Sequence, residues 1–501
     1  MGIIVNRITL IWERRGLLSD SQYGFRSKRS CEGPTLQVIN AQEEAEESGT
    51  ELHGSSWDIK RAFDSVPKAV LVMSWERLGV PSEVANYIVD LDRHCLTIPL
   101  TPHAQHIRQT EGMSAFTTNN STSKTAQGFF GETGTSQGDT PSPSNWTATY
   151  DIPLRALEQS QSFPFLVRTD IKIEGTQAMS FADDVISLAA RKEGLQDQAE
   201  VMSASSIIMG ITFAIKKLRT AAITWGQEPS GYANEDYQIQ IYDKNWTPIQ
   251  IPVKYANKAV DDQSYRYLGV QMDIQNQFTQ QFQILKAQVE EAANTARHRL
   301  ASPDTITMAI KLSLHRKISF PGKFSPWSLQ ELRTLDTPLN GLYKTHLKFL
   351  PSAPNAALYM SKEIGGLGIT RLSDQINIDK WAMMIRGLYS DRFTRTATLG
   401  ILNRSLRIGQ TDTDHGYEAT VRPTGVPQQM RSLIELMDES GYQLRRSGKS
   451  TMSSPSKLVM EHIDITNTAT KRKLMNCRIT TISDLMAVSY THLRAHETGR
   501  N

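Results

Sequence analysis

The sequence predicts an α+β fold: an antiparallel sheet backed by helices in the first half and a helical second half. Three observations predict it. Two short apolar runs rich in strand-forming residues, 178–181 and 185–190, flank Asp183 and Asp184 and read as a tight hairpin with both acids at its turn. A further strand, 55–59, delivers Asp58 and is followed by helical spacing. From 273 to 350 the apolar period is helical, with 279–300 its longest run.

Composition narrows the class. A chain of 501 residues has room for two or three domains, and 39% hydrophobic with 21% charged residues is an ordinary soluble composition. The net charge is only +3, so any nucleic-acid surface must concentrate its cations locally. Cys31, Cys95 and Cys477 are far apart, which argues against a disulfide framework or a structural zinc site and fits a reducing compartment. No apolar run is long enough to span a membrane, so no membrane partner is expected, and the first residues show no signal-peptide pattern.

Taken in order, residues 1–16 read as a helix of Ile3, Ile4, Ile8, Leu10 and Ile11, with Arg14 and Arg15 at its C-terminal end and Gly16 as its stop. The basic segment Arg26-Ser27-Lys28-Arg29 reads as a loop, and 34–48 as a helix. Helices at 66–78, with Leu71, Val72, Trp75 and Leu78 on one stripe, and at 82–94, opened by Ser82, are expected to pack behind the sheet. Residues 101–127 read as a polar loop insertion and 146–157 as a helix. A helix at 200–210 ends at Gly210, a strand at 211–215 follows, and 226–262 reads as a hairpin insertion. Lys311, His315, Arg316 and Lys317 form a basic cluster on a later helix, with a solvated face as the alternative reading. A glycine-rich segment, 364–369, precedes a helix over 373–384. Beyond 390 no chemistry is legible, and 488–501 looks foreign to what precedes it.

Three motifs carry the chemistry: Asp58-Ile59-Lys60-Arg61-Ala62-Phe63-Asp64, then Gly134-Thr135-Ser136-Gln137-Gly138-Asp139, then Phe181-Ala182-Asp183-Asp184. Adjacent acids raise each other's pKa unless a cation neutralises them, and Mg²⁺ favours carboxylate and phosphate oxygens. Taken alone, the acid pair reads as a solvated turn, such turns being common. In this order the motifs resemble the palm of the reverse transcriptases of non-LTR (LINE-like) retrotransposons. Gln22-Tyr23-Gly24-Phe25-Arg26 resembles that family's fingers motif, and Tyr265-Arg266-Tyr267-Leu268-Gly269-Val270 its primer-grip strand. The resemblance covers roughly residues 17–272 well and the remainder loosely.

The resemblance implies a right-hand polymerase with partial fingers, an antiparallel-sheet palm and a helical thumb. Residues 1–272 would be fingers and palm, 273–360 the thumb, 361–487 a C-terminal helical segment and 488–501 a non-native tail. It implies an RNA-directed DNA polymerase that adds deoxynucleoside triphosphates to a DNA primer on an RNA template, with two Mg²⁺ ions, or Mn²⁺ in their place. Asp58 and Asp183 would bridge the metals, with Asp184 in support and the Ile59 carbonyl as a further oxygen. Phe63 would stack under the incoming sugar and exclude a 2′-hydroxyl; a plain core residue is its alternative. Gln137, Gly138 and residues at the start of the 146–157 helix would line the nucleotide pocket, glycine allowing close backbone approach, and Lys217, with Lys216 beside it, would protonate the leaving pyrophosphate. Arg26 would contact template backbone or triphosphate. Asp64 is left out of the metal site, as a helix cap with a basic neighbour. The family places more triphosphate-contacting cations upstream, so an N-terminally truncated reading frame is expected. Nuclear action is expected if reverse transcription is target-primed. Two other functions stand beside this one: an inactive remnant that only binds RNA, and an RNA-templated RNA polymerase, which Phe63 argues against.

Overall fold

The computed structural model describes residues 1–93, 96–97, 129–130, 133–135, 138–160, 163–168, 173–223, 237–255, 264–273, 277–407 and 429–439. Gln137, the loop at 101–127 and the tail at 488–501 lie outside them.

Helix α1 (Gly2–Arg15) ends where Gly16 turns left-handed at φ 61°. It buries Val5 and Trp12, while Ile3, Ile4, Leu10 and Ile11 stay exposed. Helix α2 (Glu32–Ser48) is buried on nearly every face, polar residues included, because it lies between the sheet and the C-terminal helices. Strand β1 (Leu52–Trp57) begins three residues ahead of the predicted strand and leaves Asp58 just beyond its end. The short α3 (Ala62–Ser65) precedes α4 (Lys68–Arg77) and α5 (Ser82–Arg93). The latter two share a small core with α1, built on Trp12, Trp75 and Ile88.

Strands β2 (Leu96–Thr97) and β3 (Phe129–Phe130) pair, and α6 (Ser142–Ser160) follows. β4 (Phe165–Arg168) and β5 (Ile173–Thr176) form a separate hairpin. β6 (Ala178–Phe181) and β7 (Asp184–Ala189) form the predicted hairpin, with a correction: Phe181 pairs with Asp184, so the turn is Ala182–Asp183 and Asp184 is already a strand residue. Helix α7 (Lys192–Ile208) starts well upstream of the predicted 200. The predicted strand at 211–215 does not form. Phe213 makes only an isolated bridge to Ile59, and a 3₁₀ turn at Ile215–Lys217 leads into β8 (Arg219–Ile223). The hairpin insertion is present as β9 (Tyr237–Tyr242) and β10 (Pro248–Tyr255).

The main sheet runs β6-β7-β1-β8-β10-β9, antiparallel except where β10 joins β8. One face rests on α6 and α7 through Trp57, Trp146, Leu154, Leu195 and Met202. The hairpin of β11 (Tyr265–Tyr267) and β12 (Val270–Met272) turns on Leu268 and Gly269, both left-handed, as tight two-residue hairpins require.

The second half is helical: α8 (Thr279–Arg297), then α9 (Pro303–Ala309) running through a π turn at Ile310–Leu314 into α10 (His315–Gly322). A capping box of Ser328 and Glu331 opens α11 (Leu329–His346). After α12 (Ala356–Tyr359) come α13 (Leu372–Leu388), α14 (Arg392–Arg407) and α15 (Arg431–Glu439). One core joins α2, the sheet, α8, α11, α13 and α14, so packing is continuous across 272 and 360. His315 does not belong to the basic cluster. It is buried, neither ring nitrogen has a partner, and burial with Lys311 nearby pushes its pKa down to about 4. Lys311, Arg316 and Lys317 are exposed. Among the described residues no helix is long and apolar enough to cross a membrane.

Candidate functional site

Strand register assembles the acids. β1 pairs with β7 up to Trp57–Val185, and one further step along that antiparallel register sets Asp58 opposite Asp184. On its other side β1 pairs with β8 up to Ser56–Arg219, and two further steps reach Lys217. There the 3₁₀ turn lifts the lysine, and its Nζ meets Asp58 Oδ2 at 2.6 Å. The Asp58 carbonyl accepts the Ala214 N–H at 2.8 Å, which ties the end of β1 to the segment carrying Lys217. Asp183 sits on the neighbouring turn, where Ala182 is left-handed at φ 59°.

The charges do not balance locally. Desolvation by burial, reinforced by Asp58, raises the Asp183 carboxyl above its usual range. Asp184 still reaches solvent, yet desolvation, then Asp183 and Asp58, push it up to about 6 against the opposing pull of Lys217 and Arg266. Lys217 is held protonated by its hydrogen bond to Asp58. The buried Tyr150 hydroxyl has no hydrogen-bond partner, and burial with the two acids raises its pKa. The donors fit a hard divalent cation: they are carboxylate oxygens, in excess of the ammonium facing them. In the present arrangement the ammonium takes the place beside Asp58, and among the described residues no three His, Cys, Asp or Glu side chains stand close enough to hold an ion.

An aromatic ladder ends at Tyr150, within electrostatic reach of Asp183 and Asp184. Phe63, half-buried on α3, stacks on Trp146 at 5.2 Å, and Trp146 stacks on Tyr150 at 5.2 Å. Phe25 meets Phe63 edge-on at 6.0 Å. The glycine motif docks under Phe63: the Thr135 N–H donates to the Phe63 carbonyl and the Gly134 N–H to the Val66 carbonyl, each at 2.7 Å. A Cβ on Gly134 would lie 2.5 Å from the Phe63 carbonyl oxygen, so only glycine lets the motif come this close to α3. Gly138 is exposed at φ 97°, and a Cβ there would stand in open space, with nothing within 4 Å.

Two expectations need correction. Arg26 is turned inward: its side chain is 4% exposed, and its guanidinium donates to both oxygens of Glu13 at 2.8 Å and reaches the Ser19 and Gln22 carbonyls. Four of its five N–H groups are thereby committed, so it is a structural clamp in this arrangement and not a free phosphate contact. Asp64 does not cap α3: it is exposed within the helix, and the cap position belongs to Arg61 without a side-chain bond. The resemblance points to the start of the 146–157 helix for pocket residues without singling out Trp146 and Tyr150. The signal for them is two aromatics at i, i+4 on the helix that follows the glycine motif.

The sequence profile of the family described as reverse transcriptase (RNA-dependent DNA polymerase) matches residues 2–272. The Pol polyprotein of the type-1 retrotransposable element R2 of Nasonia vitripennis, described as retrovirus-related, is 25% identical over 270 residues. That covers 54% of this chain and 22% of the relative, so the chain spans about a fifth of the relative's length. Among solved structures, apo telomerase from Candida tropicalis matches with TM-score 0.34 and 11% identity, over 79% of this chain and 59% of that one. Telomerase from Candida albicans, in complex with a fragment of telomeric RNA, matches with TM-score 0.29 and 11% identity, over 78% and 55%. Neither overlap is close enough to bear on the fold.

Proposed function

This chain belongs to the reverse transcriptase (RNA-dependent DNA polymerase) family, and from that premise we propose that it extends a DNA primer on an RNA template for a non-LTR retrotransposon. The observation that carries the reading is the register that sets Asp58 between Asp184 and Lys217, with Asp183 on the adjoining turn.

Asp58, Asp183 and Asp184 would hold two Mg²⁺ ions, with the Ile59 carbonyl as a further oxygen. Divalent cations bound there supply a more acidic primer 3′-hydroxyl and neutralisation of the leaving pyrophosphate. Lys217, an exposed ammonium beside Asp58, would give its proton to the pyrophosphate oxygen as the primer 3′-oxygen bonds to the α-phosphorus and the bond to pyrophosphate breaks. Phe63, fixed by its stack on Trp146, supports the face of the deoxyribose and leaves no room for a 2′-hydroxyl. Gly138 and Gln137 would line the same pocket. In this reading residues 1–272 are fingers and palm and 273–360 the thumb, whose exposed Lys311, Arg316 and Lys317 face the duplex. Helices α13, α14 and α15 would belong to the C-terminal segment, 361–487. Action in the nucleus follows if the primer is chromosomal DNA.

Primer extension by the purified protein on poly-rA/oligo-dT with Mg²⁺ tests the reading. Deoxynucleotide addition is expected, and Phe63→Ala is expected to raise the ratio of ribo- to deoxynucleotide incorporation by tenfold or more. Binding of primer–template with no extension under any divalent cation would overturn the polymerase reading in favour of RNA binding alone.

A further inference from the structure

The Ala182–Asp183 turn is gripped from outside its own hairpin. Gln22 is fully buried, and its amide spans both polar groups of Ala182: the Ala182 N–H donates to Gln22 Oε1 at 3.2 Å, and Gln22 Nε2 donates to the Ala182 carbonyl at 3.4 Å. The same Oε1 accepts the Gly24 N–H at 2.8 Å, which fixes the amide's orientation. The backbone on either side is zipped to β6. The Tyr23 N–H donates to the Ser180 carbonyl at 2.7 Å, and the Ser180 N–H to the Ser21 carbonyl at 2.8 Å. A Cβ on Gly24 would lie 2.2 Å from the Ala182 nitrogen, so only glycine lets the segment come this close.

The far end of this segment is anchored elsewhere. The buried Tyr23 hydroxyl donates to Asp391 at 2.7 Å and accepts from Gln37 Nε2 at 2.8 Å and from Thr394 Oγ1 at 3.3 Å. Asp391 is also the acceptor for the Phe393 and Thr394 N–H groups, each at 3.1 Å, and so holds the first turn of α14. Gly33 permits the approach, since a Cβ there would lie 2.6 Å from both Thr394 Oγ1 and the Tyr23 ring.

We propose that Gln22 is a positioning residue for Asp183 and Asp184, and that Tyr23 ties this grip to the N-terminus of α14. A helix outside the family match thus sets the geometry of the acid-bearing turn. A left-handed non-glycine residue persists only where its surroundings over-determine it, and here those surroundings are Gln22 and the Tyr23 backbone. The catalytic consequence rests on the polymerase reading; the mechanical coupling does not.

The test uses the full chain with Tyr23→Phe, Gln22→Ala and Asp391→Asn, read by hydrogen–deuterium exchange and by extension kinetics. Tyr23→Phe removes one charge-assisted hydrogen bond, so peptides covering 178–188 should exchange about tenfold faster while those of α11 stay unchanged. Gln22→Ala should do more at the same peptides. Asp391→Asn keeps an oxygen acceptor and should return exchange to within about twofold of the parent. In extension, Tyr23→Phe and Gln22→Ala should lower kcat and move the nucleotide KM less than twofold. Unchanged exchange at 178–188 in both variants, or an equal rise across the whole chain, would overturn the proposal. Faster exchange confined to 178–188 in a protein whose parent extends no primer would support the coupling and defeat the polymerase reading.

Discussion

Two clusters of charge in this molecule are opposite in composition. The candidate active site sets Asp58, Asp183 and Asp184 against Lys217, whose side chain is 69% exposed. The clamp at the start of α2 sets one carboxylate, Glu32, against two cations: Lys323 at 2.6 Å and Arg386 at 2.6 and 3.1 Å. Burial works against the Glu32 charge, but Lys323 and Arg386 overcome it and hold the carboxyl down at about 2. At the candidate site burial and like charges act together, and Asp184 rises to about 6. A cluster that satisfies itself reads as structure, and one left with surplus charge reads as a place for something to bind.

The largest effect expected from this contrast is on catalysis. Asp58→Asn or Asp184→Asn should lower primer extension by roughly 10³-fold or more, since each removes an anionic oxygen worth several kcal/mol in the transition state. Folding, measured by urea denaturation, should be unchanged or slightly improved, because surplus charge has been removed. A loss of stability matching the loss of rate would mean that the acids are structural.

Glu32→Gln should do the reverse. It leaves Lys323 and Arg386 half-paired in the core and should cost about 3–4 kcal/mol of folding stability at neutral pH. Extension by the fraction that remains folded should change little. The same residue predicts an acid limb. A carboxyl lowered from 4.5 to about 2 contributes stability that is complete above pH 4.5 and is lost as pH falls through 2. The limb amounts to on the order of 3 kcal/mol and should be missing from the Glu32→Gln denaturation profile.

Glu43, further along α2, sharpens the comparison. It too has a cation, Arg404 at 3.1 Å, but Glu44 shares that guanidinium, and burial prevails and pushes Glu43 up to about 7. A carboxyl raised in this way stabilises fully below 4.5, and its contribution is lost as pH rises through 7. Glu43→Gln should therefore leave stability near pH 4.5 unchanged and raise it at pH 8, by on the order of 1–2 kcal/mol. A decrease at pH 8 would show that the pair with Arg404 outweighs the burial of the Glu43 charge.

The smallest effect on stability belongs to Lys217. Because the side chain is exposed, Lys217→Ala should move stability by no more than a few tenths of a kcal/mol. It should lower kcat by about tenfold to a hundredfold. The Mg²⁺ concentration at half-maximal rate should fall, since Asp58 no longer has an ammonium to displace. An unchanged Mg²⁺ requirement would separate Lys217 from the acid cluster.

Much of this was legible in the chain. Gly16 and Gly210 mark helix ends because a left-handed residue there is a local steric matter. The hairpin of β6 and β7 shows as two apolar runs around two acids, although only the pairing of Phe181 with Asp184 places the turn at Ala182–Asp183. The strand predicted at 211–215 failed because alternation marks a strand only where a partner runs alongside, and here Phe213 meets Ile59 at a single bridge.

By itself the sequence determined the order of the motifs, the family and the identity of the acids, since each is written in a few adjacent residues. Which charge meets which was decided only in three dimensions. Arg26 looks like a phosphate contact until Glu13 takes it, His315 looks basic until packing buries it, and Gln22 is one polar residue among many until Ala182 comes against it. Glu32 lies 291 positions from Lys323, and Tyr23 368 from Asp391. An ion pair or hydrogen bond acts over a few ångströms of space, whatever the distance along the chain. No local pattern can therefore announce a partner that only the folded core brings near.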